Sequence, residues 1–113
     1  MITKDALVEL GVNTAEGIAR CMNNETFYLK MVDMALRDKG YDRLLAALER
    51  DDLDDAFEAA HALKGVLANL SLTPLLVPVV ELTELLRARR RMDYTPYINT
   101  IREQRERFNA LLD

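Results

Sequence analysis

The stretch Ala60-His61-Ala62-Leu63-Lys64-Gly65-Val66-Leu67-Ala68-Asn69-Leu70 carries the chain's only histidine and reads as one amphipathic helix. A step of about 100° per residue puts Leu53, Ala56, Ala60, Leu63, Leu67 and Leu70 on one arc, which must face a core. His61 falls roughly 120° from the centre of that arc, near Asp54, Gly65 and Ala68, so it is expected at the solvent-exposed surface. Histidine is the one side chain type whose chemistry offers a neutral, nucleophilic nitrogen near neutral pH, which makes His61 the candidate catalytic residue.

The neighbours strengthen that reading. Lys64 lies one turn further on, where an ammonium can meet negative charge placed on the imidazole. Gly65 shares the face, although a glycine inside a helix costs about 1 kcal/mol relative to alanine. Close approach by another molecule's backbone is the simplest reason to accept that cost. Ala62 and Ala68 are small as well, so the surroundings of His61 read as flat and uncluttered. Lys64 or Gly65 alone would be an ordinary surface residue; together with His61 they point to function.

The same periodicity runs through most of the chain, with no alternating strand pattern, so the expected class is all-α. A short helix from Lys4 to Leu10 should stop at Gly11, and another should start at Asn13, with Glu16 at capping-box spacing, and end near Met22. A longer helix is expected from Asn24 as cap to Lys39, ended by Gly40, with Phe27, Met31, Met34 and Ala35 as its core stripe. Asp42 to Arg50 carries Leu44, Leu45 and Leu48, and the acids Asp51, Asp52, Asp54 and Asp55 then open the histidine helix, where a helix dipole favours negative charge. Thr73-Pro74 starts a helix that should reach about Arg91, with Pro78 marking a loosened first turn or a later start. The last helix is expected from Thr95 to Leu112, with Ile98, Ile101, Arg105, Phe108 and Leu112 on its largely apolar side. Four long helices with short joints suggest an antiparallel four-helix bundle with additional short N-terminal helices, forming a single domain over residues 1–113.

Composition narrows the function. With 113 residues there is room for one domain and no separate ATP-binding module. A net charge of -4 and a pI near 5.0 argue against a general nucleic-acid binder. Arg87, Arg89, Arg90 and Arg91 read as a basic helix end that complements the macrodipole. Cys21 is the only cysteine, which rules out an intramolecular disulfide and suits a reducing cytoplasm. No apolar run approaches a membrane span, and the start Met1-Ile2-Thr3-Lys4-Asp5 does not read as a signal peptide, so a stand-alone cytoplasmic protein is expected. One histidine among scattered acids gives too few ligands for zinc. Ser71, the only serine, lies ten residues further along or past the same helix and cannot reach His61. Asp54 and Glu58 read as a solvated face, because a convex helix lacks the cleft acid–base catalysis needs. No metal or cofactor site is expected.

Ala60-His61-Ala62-Leu63-Lys64-Gly65, followed by Ala68-Asn69-Leu70, resembles the signature of histidine phosphotransfer (HPt) domains, and the likeness extends over essentially the whole chain. The resemblance implies a phosphocarrier rather than an enzyme. His61 would be the phosphorylated residue, Lys64 would help neutralise the phosphohistidine, and Gly65 with Ala68 would leave room for docking. The implied partners are response-regulator receiver domains and a hybrid histidine kinase, with the chain itself a monomer. Two departures are visible: Ser71 stands where the family commonly has glycine, and Pro78 falls early in the following helix. The alternative from another class is an interaction module that keeps the bundle, carries no phosphate and binds a receiver or other signalling protein through the same face. Residues of the helix from Asn24 to Lys39 are expected to complete that face.

Overall fold

Side-chain caps set most of the helix starts. In a computed structural model that describes residues 1–112, α1 (Lys4–Glu9), α2 (Thr14–Arg20), α3 (Glu25–Leu36) and α5 (Leu53–Asn69) begin behind Thr3, Asn13, Asn24 and Asp52. Each of these caps accepts a backbone N–H from three residues on, at 3.0–3.1 Å. The helices α6 (Thr73–Arg87) and α7 (Thr95–Asn109) instead carry Pro74 and Pro96 in their first turns, and α4 (Gly40–Glu49) has no side-chain cap.

The ends are equally regular. After α1, α2, α4, α5 and α6 the chain turns left-handed at Gly11, Met22, Asp51, Ser71 and Arg89, and the next N–H bonds back to the carbonyl five residues earlier. Only the first of these residues is glycine. Ser71, with φ +55°, explains why a glycine would suit its position, and its hydroxyl donates to Glu16 Oε1 at 3.0 Å.

Packing follows from the apolar stripes. The helices α4, α5, α6 and α7 form an up-down-up-down bundle, each packing on the next. The ring closes where Arg102 and Arg105 of α7 pair with Glu49 and Asp42 of α4. The α3 helix extends the α4 arm along α5 and meets α7, while α1 and α2 lie across the end where α5 turns into α6. The predicted arc of α5 is buried at Leu53, Ala56, Ala60, Leu63, Leu67 and Leu70. On α7, Ile101 and Phe108 are buried, and Arg105 keeps its place on that side by laying its guanidinium over the Tyr41 ring at 4.4 Å.

Three expectations need correction. The core face of α3 is Tyr28, Val32, Ala35 and Leu36, whereas Phe27 and Met34 are exposed and Met31 is half-buried. The helix is apolar on two stripes, and Tyr28 decides between them: its ring fills the space beside Gly17 and its hydroxyl donates to the Leu70 carbonyl at 2.8 Å. Burial pushes that phenol up to about 12, so the donor keeps its proton. Gly40 does not end α3, which stops at Leu36; it is the first residue of α4. Its N–H donates to Asp38 Oδ1 at 2.6 Å, and a Cβ there would lie 3.2 Å from Leu63, so the glycine serves the turn and close packing on α5. Finally, α6 runs unbroken through Pro78, which is buried, and ends at Arg87 rather than Arg91.

Gly17→Ala is expected to destabilise the fold by about 1–3 kcal/mol, the usual range for overpacking. A Cβ at that position would lie 2.4 Å from the Tyr28 ring. Chemical denaturation monitored by circular dichroism measures it, and a midpoint equal to wild type would contradict the packing.

Candidate functional site

His61 is placed by the arc of α5. With the opposite side of the helix in the core, residue 61 is exposed near the helix middle, and no hydrogen bond to its ring nitrogens occurs among the described residues. Lys64, one turn on, is half-buried along its stem, and no carboxylate of the described residues lies within ion-pairing distance of its ammonium. Gly65 is exposed; a Cβ built on it meets nothing within 4 Å. Its φ is not positive either. The fold therefore has no use for this glycine, in contrast to Gly17 and Gly40. Ala62 is exposed and Ala68 half-buried, so His61, Lys64, Gly65 and Ala68 share one low surface.

The acids nearby behave as surface charges with partners. Asp54 accepts from Arg89 at 2.6 Å, and Glu58 lies 3.4 Å from Arg43. Asp55 is held below the usual carboxylate range, first by its hydrogen bond from Arg43 and then by Arg50. None of them sits in a cleft with His61, as a convex helix requires. Among the described residues no group of three or more His, Cys, Asp or Glu side chains could hold a metal ion, and no helix is long and apolar enough to cross a membrane.

Three features escape the sequence pattern. Phe57 stacks on His61, with ring centroids 5.7 Å apart. The arginines at and after the end of α6 are not a simple basic helix end: Arg87 and Arg89 lie over Phe57, Arg89 reaches back to Asp54, and Arg91 pairs with Asp51 at 3.0 Å. Only the antiparallel pairing of α5 and α6 brings these residues together. On the other flank of α5, a groove of about 190 Å³ is lined by Met31, Met34, Ala35 and Asp38 with Val66 and Leu70. The methionine stripe of α3, exposed at Met34 and half-buried at Met31, thus borders the helix that carries His61. In the sequence it has the period of a core stripe, and nothing local marks it as exposed.

A scan against protein-family models finds the Hpt domain over residues 38–112. No curated protein and no solved structure gives a match. The matched residues contain the whole of α4, α5, α6 and α7, and with them His61, Lys64 and Gly65 on α5. The chain belongs to the Hpt domain family.

Proposed function

We propose that this chain is a cytoplasmic histidine phosphocarrier that moves a phosphoryl group between receiver-domain aspartates, with His61 as the phosphorylated residue. Hpt domains work in histidine phosphotransfer within two-component signalling, and they are carriers rather than enzymes. The observation that carries the specific reading is Gly65: a helix interior that bears a bare, stability-lowering residue beside an exposed histidine, where an added Cβ would meet no described atom within 4 Å.

In the proposed reaction a neutral His61 ring nitrogen attacks the phosphorus of an aspartyl phosphate. The N–P bond forms as the P–O bond to the aspartate breaks, and the electron pair leaves with the carboxylate. Transfer onward is the reverse step with a second aspartate. Lys64 supplies an ammonium for the phosphoryl oxygens, uncommitted to any carboxylate of the described residues. The receiver partner supplies the aspartate and most of the stabilisation of the transition state. The low surface formed by Ala62, Gly65 and Ala68 gives its backbone room, and Met31 and Met34 extend the face with apolar area.

The test is incubation with a phosphorylated receiver domain and its metal ion. The expected product carries one phosphoryl group per chain, stable in base and lost in acid, and peptide mapping places it on His61. Stable binding of the receiver without labelling would leave an interaction module in place of a carrier.

A further inference from the structure

The His61 side of α5 holds a stack that docking clearance does not require. Phe57 lies one turn before His61, its ring plane 22° from that of the imidazole and the centroids 5.7 Å apart. The guanidinium carbons of Arg87 and Arg89 stand 5.0 and 4.9 Å from the centre of the same phenyl ring. Both arginines are themselves held. Arg87 Nε donates to Glu84 at 3.1 Å, and Arg89 donates to Asp54 and to the Leu86 carbonyl, each at 2.6 Å. Arg89 also occupies the left-handed position that ends α6, which fixes where its side chain starts. A half-buried phenylalanine is thereby pinned against the one residue of the face that carries out chemistry.

An exposed histidine inside a helix and without hydrogen bonds samples two χ1 wells, the third being closed by the preceding turn, each with two broad ring orientations. Only an orientation that points one ring nitrogen at the incoming phosphorus is productive. Offset stacking on a fixed ring selects among them. We propose that Phe57 is a positioning residue for His61: it holds the imidazole in the orientation required for transfer, and Arg87 and Arg89 fix Phe57 in turn. The inference rests on the phosphocarrier reading. It assigns work to a side chain that touches neither the phosphoryl group nor the partner's aspartate.

The test compares Phe57→Leu, which keeps an apolar side chain of similar bulk, with Phe57→Tyr, which keeps the ring. Nuclear magnetic resonance of the unphosphorylated protein reports the stack through the ring-current shift of the His61 ring protons. That shift is expected in wild type and F57Y and absent in F57L. Single-turnover transfer from a phosphorylated receiver at saturating concentration should fall about two- to fourfold in F57L, the number of orientations released. It should recover in F57Y, while the receiver's Kd stays within about twofold throughout. Arg87→Gln combined with Arg89→Gln should lower the rate in the same direction by less, with the thermal midpoint of each variant checking that it is folded. Wild-type transfer in F57L, or a loss confined to Kd, overturns the inference alone. A wild-type chain that is never labelled at His61 overturns the phosphocarrier reading and this inference with it.

Discussion

His61→Ala is expected to abolish labelling by a phosphorylated receiver domain while leaving the thermal midpoint within a few degrees of wild type. The chain has no second histidine to take over. The fold loses little, because the side chain is exposed and makes no hydrogen bond among the described residues. Alanine is the better helix former by up to about 0.7 kcal/mol. Loss of the stack on Phe57 works in the opposite direction by about 0.5–1.5 kcal/mol, so the two nearly cancel. Acid-labile phosphate counted by mass spectrometry, beside a melting curve, measures both halves. Undiminished labelling of the variant would move the phosphoryl group off His61 and end the assignment.

Gly65→Leu should separate stability from function more sharply. Most substitutions that harm an activity also harm the fold, but here the two are expected to move in opposite directions. The added side chain meets no protein atom within 4 Å of its Cβ, and leucine is a far better helix former than glycine. The variant, like Gly65→Ala, should gain about 1 kcal/mol, which raises the midpoint by roughly 4–8 °C in a domain near this size. Transfer should fall by at least about tenfold, equivalent to about 1.4 kcal/mol of lost docking energy. Gly65→Ala, with a single added methyl, should fall between the two. A melting curve and single-turnover transfer decide the matter. A leucine variant that is stabilised and transfers at the wild-type rate refutes the clearance argument.

How far the site could be read from sequence depended on whether one helix contained the information. The arc of α5 is a property of α5 alone, so the exposure of His61 and the burial of Leu63 and Leu67 followed from spacing. The caps at Asn13 and Asn24 and the stop at Gly11 are local in the same sense. On α3 the period fits two stripes, and the choice lies outside it, in the room that Gly17 leaves for Tyr28 and in the carbonyl of Leu70. Gly40 misled because a glycine after a helix usually ends it, whereas this one is required by Leu63 across the seam. Phe57 lies thirty or more residues before Arg87 and Arg89 in the chain and meets them only once α5 and α6 are antiparallel. Ser71 shows the limit on the scale of one residue: its left-handed backbone is held by a hydroxyl bond to Glu16, 55 positions away.

The start of α6 has a dynamic consequence. Leu72 provides no side-chain cap there, and Pro78 has no N–H to give the carbonyl of Pro74, so that carbonyl lacks its helical donor. What steadies the first turn comes from α1 and α2: Gly11 against Pro74, Glu16 on Ser71, and Arg20 donating to the Ala68 carbonyl at 3.4 Å. The N–H groups of Leu75 and Leu76 both lean on the one carbonyl of Leu72, at 3.0 and 2.9 Å, so in native-state hydrogen exchange this turn is expected to open below the global unfolding free energy, while the amides of α5 near His61 remain among the slowest. On the proposed reading, that pattern mounts the face that takes the phosphoryl group on the stiff part of the bundle and keeps the give of the molecule at the far end, where no phosphoryl group has to be aimed.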